Sequence, residues 1–119
     1  MEKVNIAQKF DLFNEKWSPR IVGELNGQYV KLVKVQGEFV WHRHEKEDEL
    51  FLVTKGSLDI ILRDGQVRLE AGEFLIVPAG IEHKPVAREE AHVVLLEPVS
   101  TVNTGDVRGE RTREHLDWI

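Results

Sequence analysis

The sequence predicts an all-β fold, a small antiparallel sandwich or barrel preceded by a short helix. Short β-rich runs follow one another from Gln28 to Pro98. Turn residues punctuate them: Asp64-Gly65, Gly56, Gly72 and Gly80. The gaps between runs are too short for the crossover of about ten or more residues that a parallel sheet needs.

The elements read in order. Apolar residues at Val4, Ile6, Ala7, Phe10 and Phe13 have the three- and four-residue offsets of a short helix lying on something else. Pro19 disfavours helix at the residue before it and breaks the pattern at Trp17-Ser18-Pro19. The runs YVKLVKV, EFVWHRH, LFLVTKG, SLDIILRDG, QVRLEAG, EFLIVPAG and HVVLLEP then read as strands. Asp64-Gly65 is expected to close a tight hairpin of type I′, which needs positive φ at both central residues. The tail from Asn103 onward is polar and is expected to wrap the surface or end in a short helical turn. The 119 residues make one domain, with residues 1–27 as an N-terminal helix and extension, 28–98 as the barrel core and 99–119 as a C-terminal extension.

Composition excludes several function classes. Cysteine is absent, so disulfides, thiolate metal sites and cysteine nucleophiles are ruled out. Against 21 acidic residues stand 16 basic ones, and the net charge of -5 opposes nucleic-acid binding. No apolar run approaches the roughly 18–20 residues of a membrane span. The N-terminal residues lack an apolar signal core, and a cytoplasmic location is expected.

Histidines carry the chemistry. If residues 37–44 are extended, side chains alternate faces, so His42 and His44 point the same way together with Val40, and Phe39, Trp41 and Arg43 point the other way. Glu45-Lys46-Glu47-Asp48 reads as a solvated turn. Glu49 then shares its face with Phe51 and Val53, where a carboxylate is costly without a partner, and a cation held by His42 and His44 would be one. His83 follows the Pro78-Ala79-Gly80 turn, from which a hairpin partner can bring it alongside. Three neutral imidazoles and one carboxylate suit one divalent transition metal: Zn, Fe, Mn, Ni, Co or Cu. Four protein ligands on an ion that accepts six leave positions for water or substrate. His92 and His115 read as ordinary surface or core histidines, and Glu97 as a strand-end charge.

These residues resemble the two motifs of the cupin superfamily, in its small single-domain form. Gly37-x4-His42-x-His44-x4-Glu49-x6-Gly56 is similar to the first motif and Gly72-x5-Pro78-x-Gly80-x2-His83 to the second, with 15 residues between them. Two departures stand out: the family usually has five residues between the first Gly and the first His, and Ala87 stands where Asn often ends the second motif. The resemblance implies a small antiparallel jelly-roll barrel (a double-stranded β-helix) and one metal ion held by His42, His44, Glu49 and His83. It also implies a homodimer, to which the aromatic surface of Trp17, Tyr29, Phe39, Trp41 and Trp118 would contribute. A metal-dependent enzyme acting on a small polar molecule in the barrel mouth is the expected function, as an isomerase or a dioxygenase. The alternative is a non-catalytic module that binds or senses a small ligand through the same metal. Lys31, Lys34, Arg43 and Lys84 are the basic residues near enough in sequence to meet a sugar phosphate, Arg43 having the wrong parity for the interior.

Overall fold

The computed structural model describes residues 1–119. One short helix, α1 (Ile6–Phe10), precedes seven antiparallel strands: β1 (Arg20–Leu25), β2 (Gln28–Glu38), β3 (Glu49–Lys55), β4 (Ser57–Leu62), β5 (Gly65–Glu70), β6 (Phe74–Val77) and β7 (His83–Pro98). The strands form a jelly-roll barrel. β7 is its spine: the C-terminal half pairs with both β2 and β3, and the N-terminal end pairs with β4. The order β1-β2-β7-β3-β6 makes one wall, and β4 with β5 folds over to make the other. No helix is long and apolar enough to cross a membrane.

Alternation along the strands fills the barrel. Val33 and Val35 of β2, Phe51 and Val53 of β3, Leu58 and Ile60 of β4 and Val93 and Leu95 of β7 form one core with Trp17 and Phe39. The outer face of β1, β2 and β7 is covered by the N-terminal segment, where Phe10 and Phe13 pack on Val22, Leu32 and Val94. α1 is only five residues long, too short to persist alone. Asn5 caps it by accepting the Gln8 amide at 3.0 Å, and Phe10 anchors it by stacking on His92 at a ring separation of 4.4 Å.

Several elements depart from the sequence-based expectation. β1 lies inside the stretch read as a helix and extension, and Asn26-Gly27 turns it into β2 with φ of 51° and 77°. That is the type I′ geometry expected at Asp64-Gly65. There the strands pair from Leu62 to Gly65, so Arg63 and Asp64 form the loop, and neither has positive φ. β7 begins at His83, nine residues before the apolar run that announced it, because Lys84 to Val86 pair with β4 and Val86 and Ala87 with β2. The tail wraps the surface without a helix, and its end returns to β1, where the Ile119 amide donates to the Ile21 carbonyl at 3.1 Å.

Phe10 is 1% exposed and links the helix to the sheet. Phe10→Ala is expected to cost about 3–5 kcal/mol in urea denaturation, the range for emptying a buried aromatic site. A loss below about 1 kcal/mol would mean that the N-terminal segment does not pack on the sheet as described.

Candidate metal centre

The four residues expected to share an ion come together at one end of the barrel. Segment 39–48, between β2 and β3, runs largely outside the regular ladders. It meets the start of β7 where the His42 amide donates to the His83 carbonyl at 3.1 Å and the His83 amide to the His42 carbonyl at 2.9 Å. The Gly80 amide donates to the His44 carbonyl at 2.8 Å and ties the Pro78–Gly80 turn to the same segment. Glu49 opens β3 opposite Val77 of β6. His42 and His44 both point inward as expected, and Arg43 between them is exposed. Phe39 departs from the expected parity: it also points inward, edge-on to His42 at 5.3 Å, because the segment is not a continuous strand.

His42, His44, Glu49 and His83 are all buried, and His83 is fully so. One donor atom of each lies within 4.8 Å of those of the others. The Nδ1 atoms of His42 and His83 lie 2.9 Å from the carbonyls of Val40 and Ile81. A carbonyl only accepts, so both Nδ1 atoms carry the proton and each Nε2 presents a lone pair. His44 Nε2, His83 Nε2 and Glu49 Oε1 are buried without a hydrogen-bond partner. Glu49 Oε1 is 3.3 Å from His44 Nε2 and 3.4 Å from His83 Nε2. Two donors each about 2.1 Å from a common ion stand roughly 3.0–3.4 Å apart, so these separations suit neighbouring ligands. Unpaired buried acceptors facing one point are costly unless a cation satisfies them. The set fits a borderline divalent transition metal on this observation as well as on donor type.

The electrostatics agree. Burial, and then the nearby His83, lower the His42 pKa from 6.5 to about 4, so its ring is neutral at pH 7. Burial alone would raise Glu49, but contacts from His44, His83 and Glu97 hold it well below the usual carboxylate range. Lys31 of β2, one of the basic residues expected near the site, is met there by Glu97 of β7, which was not expected. Both are 1% exposed and pair at 2.8 Å. Glu97 is no strand-end charge. It sits beside Glu49 on the neighbouring strand, one position beyond the Leu50–Leu96 pair. Burial and the Glu49 charge push Glu97 well above its ordinary range, against the pull of Lys31. Their parity held the clue: Lys31 alternates with Val33 and Val35, and Glu97 with Val93 and Leu95.

The other expected basic residues lie elsewhere. Lys34 is buried on the outer face and donates to the Phe13 carbonyl, Lys84 pairs with Glu38, and Arg43 pairs with Glu45. His92 packs on Phe10 and His115 is exposed, as ordinary histidines do. The tail contributes what the sequence did not announce. The Asp106 amide donates to the Arg43 carbonyl, and Asp106 Oδ1 accepts the Arg43 amide, both at 3.0 Å. Gly105, at φ 56°, passes so close that an added Cβ would lie 2.1 Å from the Arg43 carbonyl oxygen. The backbone carrying His42 and His44 is therefore braced by the C-terminal loop.

A narrow cavity with an open mouth extends from His42 and Glu49 into the barrel. Its other walls are mainly apolar, with Trp17, Phe39 and Phe51 the aromatic members.

Between pH 6.5 and 4 the unfolded chain binds a proton at His42 that the folded chain refuses. Stability of the metal-free protein is therefore expected to fall as pH falls through that window, by on the order of 3 kcal/mol from this group. Glu49, held below 4.5 in the fold, adds loss in the same direction as pH drops further. Urea denaturation of chelated protein at pH 7 and pH 4 measures this, with His42→Gln expected to flatten the profile. Glu97, held above its ordinary range, titrates in the opposite sense, so the His42 part is the difference between the two profiles, and identical profiles for the parent and His42→Gln would show that His42 is not kept neutral by the fold.

Comparison with known proteins places this arrangement. Residues 29–99 match the family model described as the cupin domain. A solved cupin-2 domain containing protein from Shewanella frigidimarina NCIMB 400 is 50% identical, covers 80% of this chain and 93% of its own, and superposes with a TM-score of 0.79. Protein NMB1881 from Neisseria meningitidis is 28% identical over 82% of this chain and 99% of its own, with a TM-score of 0.75. The uncharacterized protein YdbB of Bacillus subtilis (strain 168) is 37% identical over 71 residues, 59% of this chain. The match spans 63% of YdbB, less than two-thirds of its length. The matched region contains both halves of the histidine–glutamate cluster, and with the barrel topology it establishes that the chain belongs to the cupin domain family.

Proposed function

We propose that this protein is a metal-dependent dioxygenase-type enzyme: His42, His44, Glu49 and His83 hold one divalent transition metal, and a small molecule in the cavity reacts there with O2. The observation that carries the reading is the set of buried, unpartnered donors of His44, Glu49 and His83 at the end of a mainly apolar cavity. A redox-active divalent ion bound there supplies Lewis acidity and electron exchange with O2. The chain's own residues do the rest. The carbonyls of Val40 and Ile81 hold the His42 and His83 rings in the tautomer that presents Nε2. The Lys31–Glu97 pair stands behind Glu49. The apolar walls limit water at the reacting molecule.

Dioxygenation is favoured over isomerisation by what the cavity lacks. Isomerisation needs a base that reaches the substrate. Apart from His42 and Glu49 themselves, no titratable side chain lines the cavity, and Glu97 is sealed by Lys31. Dioxygenation places both atoms of O2 in the product and needs no external reductant. Protein purified without added metal is expected to contain about one transition-metal ion per chain, by elemental analysis. His83→Ala should lose it with far-UV circular dichroism unchanged, and the loaded protein should consume O2 with a member of a small-molecule panel. A ligand that raises the melting temperature while none supports O2 uptake or product would replace the enzyme with the binding module.

The reading includes a homodimer. β6 is a four-residue edge strand whose outward Phe74 and Ile76 are 60% and 51% exposed, beside half-buried Leu50 and Leu96. Such a patch suits a second copy. Light scattering is expected to give a dimer mass that Phe74→Lys reduces to a monomer, whereas a monomeric parent protein would reject the pairing.

A further inference from the structure

The walls of the cavity bear on what it accepts. Trp17, Val35, Phe51, Leu58, Val93 and Leu95 present carbon to its interior. Three lining side chains are polar: His42, Glu49 and Asn103. Asn103 is already spent, because its amide donates to the Arg111 carbonyl and its Oδ1 accepts the Arg113 amide, both at 2.8 Å. A ligand therefore finds side-chain hydrogen-bonding partners only in the metal centre itself.

No basic side chain lines the cavity. Lys31 is the basic residue that alternates with the interior valines, and its ammonium is held on Glu97 at 2.8 Å, both 1% exposed. The Arg111 guanidinium lies over the Trp17 ring at 5.5 Å but outside the lining. A phosphate dianion would enter a carbon-lined space with no countercharge beyond the ion, at a cost that its hydration outside does not impose.

Trp17 supplies a second, independent observation. Its φ is 60°, in the left-handed region where a bulky side chain is a genuine outlier. The conformation is held from both ends: the backbone amide donates to the Lys34 carbonyl at 2.8 Å and the indole Nε1 to the Gln36 carbonyl at 2.9 Å. The ring stacks on Phe39 at 4.8 Å, and Phe39 in turn meets His42. Strain of this kind persists where the surrounding structure over-determines it, and it concentrates at ligand sites. Here it sets an aromatic wall beside the metal centre.

We propose that the cavity takes a small, ring-bearing, uncharged molecule that offers hydroxyl or carbonyl oxygen to the metal centre, with Trp17 as the specificity-determining residue, and that phosphorylated compounds are excluded. This rests on the proposed metal-dependent function but narrows its substrate from a polar molecule to one with an apolar body.

The test is binding, read separately from turnover. Metal-loaded protein is titrated by calorimetry with catechol, with cyclohexanol and with glucose 6-phosphate. Catechol is expected to bind, cyclohexanol to bind more weakly, and glucose 6-phosphate not to bind. Trp17→Ala is expected to weaken catechol about tenfold and to narrow its advantage over cyclohexanol, while Trp17→Phe keeps most of both. The Phe variant keeps the test decisive if the Ala variant does not fold. Glucose 6-phosphate binding as tightly as catechol, or a Trp17→Phe variant that loses catechol entirely while folded, would overturn the proposal. O2 uptake on a phosphorylated substrate would sink this inference and leave the dioxygenase reading standing; catechol binding through Trp17 with no O2 uptake on any substrate does the reverse.

Discussion

Three imidazoles and a carboxylate withdrawn from water, with lone pairs turned toward one another, are the constraint on which the rest of this structure depends. Hydrophobic collapse alone would not gather them, since each costs free energy to bury unpaired. They are gathered by backbone bonds. The reciprocal His42–His83 bridge and the Gly80–His44 bond are fixed by sheet pairing, and the side chains follow the backbone. The Val40 and Ile81 carbonyls then set which ring nitrogen faces the centre. Such preorganisation is what a metal site needs from its protein, because donors already held in place lose little freedom when an ion arrives.

The charge around the centre continues the same logic. Glu49 heads an apolar strand, with His44 Nε2 and His83 Nε2 at 3.3 and 3.4 Å and the Lys31–Glu97 pair on the strands beside it. A buried ion pair is weak evidence for stability, since both partners lose their hydration. Its position matters more. It occupies the barrel layer next to Glu49, so the carboxylate is backed by a fixed Lys31–Glu97 contact.

Much of this was legible in the residues. Spacing and turn punctuation were enough to bring His42, His44, Glu49 and His83 to one place, because Glu49 and His83 each open a strand and the two-residue offset of His42 and His44 turns both inward even in an irregular segment. Other features were masked by competing signals. β1 is short and charged at its end, so its apolar pair Ile21-Val22 was lost beside Pro19, although Asn26-Gly27 marked the hairpin. The first half of β7 carries charges because its middle, Arg88–Glu90, is exposed, and alternation there is weak. Lys31 and Glu97 have interior parity, but a charged side chain on an apolar face reads as an exception until its partner from a distant strand is seen. Phe39 turned inward because an irregular segment frees each residue from strict alternation. Gly105 and Asp106 gave no local sign, since their role is a contact with a residue some sixty positions earlier.

The family match ends at residue 99, and the brace on Arg43 lies beyond it. Trp17 and Asn103, which flank the cavity, lie outside it as well. The region matched by the family model thus contains the four candidate ligand residues, while part of the scaffolding of the mouth lies outside it. Gly105 makes the division concrete. It leaves no space for even a methyl group against the Arg43 carbonyl, so the two histidines flanking Arg43 inherit their placement from a glycine near the far terminus. A fragment trimmed to the recognisable domain would carry all four candidate ligand residues and lack the clasp that sets two of them in register.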